Sequence, residues 1–114
     1  MHELSIALSI LELVEEQAEL QGGRVAAVHL KLGRLSGVVK EALVSAYEMV
    51  REGTPLAQTE LVIEEVPLVA HCPVCVADHP LPSVQQLGCP VCGDLTAQII
   101  SGRELEVYAL EIES

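Results

Sequence analysis

Cys72-Pro73-Val74-Cys75 and, after thirteen intervening residues, Cys89-Pro90-Val91-Cys92-Gly93 hold every cysteine of the chain. Each Cys-x-x-Cys segment puts two sulfurs on one tight turn, and two such turns complete a tetrahedron of thiolates. That is the ligand set and spacing of a structural zinc site. Zinc suits thiolates because it is borderline-soft and has no d-electron geometry to satisfy. Gly93 relieves crowding where the backbone turns around the metal. The competing readings are a pair of disulfides or two redox pairs, but disulfide frameworks belong to secreted chains and nothing here signals secretion. With all four positions taken by sulfur there is no room for a catalytic water. Such an ion holds structure and performs no hydrolysis.

Around this module stand 114 residues, enough for one compact domain or one domain with a small satellite. Half the residues are apolar, yet Phe and Trp are absent and the only aromatic residues besides histidine are Tyr47 and Tyr108. The expected core is aliphatic. Seventeen acidic against six basic residues give a net charge of −11. Such a surface repels nucleic-acid phosphates and anionic lipid and favours cationic partners or metal ions. The opening residues lack the basic flank of a signal peptide, and no apolar run is long enough to span a bilayer. Reduced thiols and these absences predict a cytoplasmic protein.

Hydrophobic spacing predicts a helix over 4–21. Leu4, Leu8, Leu11 and Val14 form one stripe and Ile6, Ile10, Leu13 and Leu20 an adjacent one, so a broad buried face is expected. Gly22-Gly23 stops it. Segment 24–32 alternates in its second half and reads as a strand, with His29 on the exposed face or donating to a neighbour. Ser36-Gly37 breaks the chain and is placed to cap a second helix over 38–52, with Val39, Leu43, Ala46, Tyr47 and Val50 at helical spacing. Strands follow over 59–66 and 104–112, while 68–100 shows no regular period. The expected architecture is α+β: two helices packed on a small mixed three-stranded sheet, with an inserted zinc-ribbon-like module. The last strand returns to the sheet begun by the first two. The expected division is 1–66 plus 103–114 for the α/β domain and 67–102 for the cysteine domain.

Met1-His2-Glu3 is the other unusual stretch. A histidine at position 2 places an α-amine, backbone amide nitrogens and an imidazole within chelating reach of one ion, a donor set suited to Ni²⁺ or Cu²⁺. On position alone a frayed terminus with its histidine in solvent is the simpler reading of the same residues.

Met-His-Glu-Leu-Ser at the start, Glu41-Ala42-Leu43 in the second helix, the two cysteine pairs and Gly102-Arg103-Glu104-Leu105 before the last strand resemble, in order and position, the HypA/HybF family of nickel metallochaperones for hydrogenase maturation. The resemblance covers essentially the whole chain. It implies Ni(II) as transferred cargo on Met1, His2 and Glu3, and structural Zn(II) on Cys72, Cys75, Cys89 and Cys92. It also implies a nickel-inserting GTPase partner, HypB, and delivery to the large subunit of a [NiFe] hydrogenase, with no enzyme activity of its own. Self-association stays open. In some relatives histidines near the cysteine pairs couple zinc geometry to nickel or pH. His71 and His79 are the corresponding candidates here, although a complete four-cysteine set needs no fifth donor.

The main alternative is a zinc ribbon that binds protein or nucleic acid without any nickel function. Against nucleic acid, residues 68–100 carry no Lys or Arg and no aromatic stacking residues. Against a thiol-disulfide enzyme, paired cysteines that share a metal lose their free thiols. No nucleophilic triad, phosphate loop or hydrolytic metal motif is present.

Overall fold

The computed structural model describes residues 3–113. Its elements are α1 (Glu3–Gln21), β1 (Arg24–Gly33), a 3-10 turn at Arg34–Ser36, α2 (Lys40–Arg51), β2 (Glu60–Val66), β3 (Val69–Cys72), β4 (Ala77–Pro80), β5 (Gln98–Ser101) and β6 (Leu105–Glu113). Two three-stranded sheets form, ordered β2-β1-β6 and β4-β3-β5. The final strand returns beside β1, as the alternating pattern of 104–112 suggests. The cysteine module, whose sequence shows no regular period, contains three strands of four residues each. Strands that short give periodicity too few positions to register.

The chain divides into two compact units. One comprises 1–31, 38–64 and 106–114; the other comprises 32–37 and 65–105.

In the first unit α1 and α2 pack against each other. The buried residues of α1 are Ala7, Ile10, Leu11 and Val14, one stripe at i, i+3, i+4 and i+7. This corrects the expectation of two stripes: Leu4, Leu8, Leu13 and Leu20 are exposed, Leu20 at 72%. Ala7, fully buried, lies on the inward stripe, and the leucines at its flanks face outward. Helix α2 buries Leu43, Ala46 and Tyr47. Its N-cap is Val39 in extended conformation with no side-chain cap, so Val39 lies off the helix and is exposed rather than in the stripe. Ser36-Gly37 does not cap α2; Gly37 ends the 3-10 turn instead.

Tyr47 is a core residue with a polar function. Its hydroxyl donates to the Thr59 carbonyl at 3.0 Å, which also accepts from Arg51 Nη1 at 2.7 Å. The Thr59 hydroxyl, 2% exposed, donates to the Val25 carbonyl at 2.7 Å. The three bonds join α2, the start of β2 and β1, and leave this buried hydroxyl pair satisfied. Burial pushes the Tyr47 phenol above its ordinary pKa, opposed by the Arg51 charge. On β1, His29 Nε2 meets Glu111 Oε1 at 3.3 Å, and its ring stands edge-on to Tyr108. Among the described residues no helix is long and apolar enough to cross a membrane.

The second unit has a small core of Leu68, Ala70 and Leu81, against which Leu35, Ala97 and Ile99 pack. Residues 32–37 belong here because the chain makes backbone bonds after leaving β1's first part. Gly33 N donates to the Glu104 carbonyl and Leu35 N to the Gly102 carbonyl, each at 2.7 Å. A Cβ at position 33 would overlap the Gly102 carbonyl, so glycine alone permits this approach. None of these long-range pairings is visible in local spacing.

A candidate four-cysteine metal centre

The first knuckle is the turn of the β3–β4 hairpin. β3 ends at Cys72, whose strand partner is Ala77, and Pro73 to Val76 form the loop between them. The Cys75 amide donates to Cys72 Sγ at 3.4 Å, which curls the turn around the sulfur. The second knuckle lies between β4 and β5. Cys89 N donates to the Asp94 carbonyl and Gly93 N to the Cys89 carbonyl, both at 2.9 Å, closing the loop on itself. The Asp94 carboxylate accepts from both the amide and the hydroxyl of Thr96, which holds it below the usual carboxylate range and fixes the chain leaving the knuckle.

Thus placed, the four cysteine sulfurs lie within 4.8 Å of one another. Cys72 and Cys92 sulfurs are 3.5 Å apart and Cys75 and Cys89 sulfurs 3.9 Å. A tetrahedral ion with metal–sulfur bonds of about 2.3 Å needs sulfur–sulfur edges of roughly 3.8 Å. The set fits a thiophilic tetrahedral ion such as zinc. All four cysteines are free thiols, so the disulfide reading fails among the described residues. Cys72 and Cys89 are buried, Cys75 is half-buried and Cys92 is exposed.

The thiols are unequal in acidity. Amide N–H groups of Cys92 and Val91 aim at the Cys89 sulfur and bring its pKa down to about 6, against a smaller upward push from burial. Cys75 is pushed up to about 12, first by its hydrogen bond to Cys92, then by burial and by its bonds to Cys72 and Cys89. Crowded sulfurs share hydrogen bonds and resist joint ionisation. Only a cation among them stabilises several thiolates together.

Among the described residues the metal-ligand group contains the cysteines alone. His71, beside Cys72, pairs Nδ1 with Asp78 Oδ1 at 2.7 Å across the β3–β4 register. His79 is half-buried, and its Nε2 is enclosed without a partner among the described residues. Its place on β4 opposite Ala70 puts it on the same face of the sheet as that core residue. Sequence spacing does not show that pairing.

Of the proposed nickel residues, Met1 and His2 lie outside the described residues. Glu3 opens α1, and its Oε2 accepts a hydrogen bond from the Val39 amide at 3.3 Å.

Fold and site define a small α+β metal-binding protein with a four-cysteine centre. A family model described as "Hydrogenase/urease nickel incorporation, metallochaperone, hypA" matches residues 1–112. The hydrogenase maturation factor HypA of Roseiflexus sp. (strain RS-1) is 47% identical over 114 residues, covering 99% of this chain and 93% of its own. That of Chlorobaculum parvum is 40% identical, covering 99% of this chain and all of its own. The solution structure of the Ni metallochaperone HypA from Helicobacter pylori superposes with a TM-score of 0.66 at 26% identity, covering 98% of this chain and 97% of that one. A second solution structure of a HypA protein reaches 0.72 at the same identity, covering 99% and 97%. The chain belongs to the HypA family of nickel-incorporation metallochaperones for hydrogenase maturation.

Proposed function

We propose that this chain carries Ni(II) on Met1, His2 and Glu3 and passes it, with the GTPase HypB, to the large subunit of a [NiFe] hydrogenase. Cys72, Cys75, Cys89 and Cys92 hold a structural Zn(II). The nickel-binding domain is assigned to 1–66 plus 103–114 and the zinc-binding domain to 67–102, although 32–37 and a few residues at the boundaries group with the cysteine unit. The protein works in the cytoplasm as a carrier and catalyses no reaction. The family match that begins at residue 1 and runs to residue 112 is the observation that carries the reading.

A carrier must hold its cargo against loss yet surrender it to a recipient. An α-amine, amide nitrogens and an imidazole at a chain end are open to attack by a partner's ligands. Their hold depends on protons, because the imidazole titrates near pH 6.5 and the amides must deprotonate, so nickel leaves as pH falls. Zinc held by Cys72, Cys75, Cys89 and Cys92 would tie the two knuckles together, worth on the order of 10 kcal/mol in folding. The cysteines orient it with backbone amides aimed at sulfur, as at Cys72 and Cys89. One metal moves and the other stays.

Replacing His2 tests the assignment. His2→Ala is expected to lose tight nickel binding while zinc content and the far-ultraviolet spectrum stay unchanged. Retained nickel affinity would place the cargo elsewhere.

A further inference from the structure

The Gly102-Arg103-Glu104 stretch presents one residue outward while clamping its neighbours. The Gly102 amide donates to Glu104 Oε1 at 2.7 Å, and the carbonyls of Gly102 and Glu104 accept from Leu35 and Gly33. Arg103, between them, is exposed and makes no hydrogen bond or ion pair among the described residues. It lines a groove of about 630 Å³ whose apolar walls are Leu87, Leu95, Ala97 and Ile99. That volume lies in the range of sites that bind small ligands or peptide side chains. Leu95 is 88% exposed and Leu87 41%, an arrangement that leaves apolar surface facing water. Ala97 precedes β5, and Gln98 and Ile99 lie in it, an edge strand of its sheet. An edge strand offers unpaired backbone groups to an extended peptide.

We propose that this groove docks an extended apolar peptide segment of a partner protein, with a carboxylate of that segment held by Arg103. Charge decides the occupant. In a chain of net charge −11, Arg103 is the sole lysine or arginine between positions 65 and 105, and among the described residues it is unpaired at the groove. Guanidinium and carboxylate match as a fork of parallel hydrogen bonds. Leu87 and Leu95 cover the peptide's apolar side chains, and the β5 edge supplies main-chain pairing. The site uses none of the metal-ligating residues, but Leu87, Gly88 and Leu95 flank the second cysteine knuckle, so it is tested with the four-cysteine centre intact.

Fluorescence anisotropy of the zinc-loaded full chain tests this with a labelled peptide, Ala-Val-Ile-Val-Leu, bearing a free terminal carboxylate, and with the same peptide ending in a carboxamide. The expected result is saturable binding of the carboxylate form, about tenfold weaker for the carboxamide and for Arg103→Gln, as loss of a charged hydrogen-bond pair implies. Leu95→Ser, at a position with almost no packing to lose, is expected to weaken binding while zinc content is unchanged. Equal binding by Arg103→Gln, or absence of saturation, overturns the proposal. So does self-association of the chain that Leu95→Ser abolishes, because the groove would then be covered by a second copy.

Discussion

Val76 and Gly93 occupy the same position in the two knuckles, one residue past the second cysteine, and both hold a left-handed backbone, with φ of 53° and 79°. The turn around the metal imposes the conformation on both. Glycine adopts it freely, whereas a β-branched residue there strains against its own backbone by about 1–2 kcal/mol. Val76 is 77% exposed and gains little packing in return. Val76→Gly is therefore expected to raise stability by up to about 1 kcal/mol, the relief of strain exceeding the added entropy of the unfolded chain. The reciprocal change, Gly93→Val, is expected to lower it by a similar amount or more. Chemical denaturation of the zinc-loaded variants measures both, and a Val76→Gly protein less stable than the parent would contradict the strain argument.

Glu3 ties the start of α1 to the cap of α2. Its carboxylate takes the Val39 amide, which has no other cap in its own helix. Glu3→Gln keeps an acceptor oxygen and Glu3→Ala removes it, a difference of about 0.5–1.5 kcal/mol for one hydrogen bond. If this tie positions the proposed nickel residues, Glu3→Ala weakens nickel binding several-fold more than Glu3→Gln, as isothermal titration would show. Equal losses in the two variants would assign the effect to the carboxylate charge instead.

Zinc retention should depend on pH with a definite sign. Metal binding requires thiolates, and protons compete for them. Cys89, lowered to about 6, is the thiol already ionised at neutral pH; Cys75, raised to about 12, loses its proton to solvent only when a metal displaces it. Zinc uptake at pH 7 is thus expected to release protons, and affinity to fall as pH drops, more steeply once Cys89 protonates below about 6. Competition with a chelator across this range measures the slope. A flat profile would mean the sulfurs are not the ligands.

Local chemistry made some of this legible in the sequence. Both helices, β1, β2 and β6 follow from spacing within a few residues, and the cysteine pairs from ligand chemistry. The inward face of α1 was legible only in part, because apolar residues filled more of the helix surface than its partners cover. Leu8 and Leu11 are alike in composition, and only the position of α2 decides which is buried. The three short strands, the return of Leu32–Gly37 to the cysteine unit and the enclosure of His79 all rest on pairings between distant residues. Val76 shows a different limit: the repeat of the knuckle predicts a left-handed position, but the residue there argues against it.

Counting metals on untagged protein, with and without a single residue added ahead of Met1, tests the nickel site most directly. The account predicts that the extra residue, by capping the amine and displacing His2 from second position, removes tightly bound nickel while zinc stays at about one per chain, as one four-thiolate site requires. Nickel bound equally well by the extended protein would contradict it.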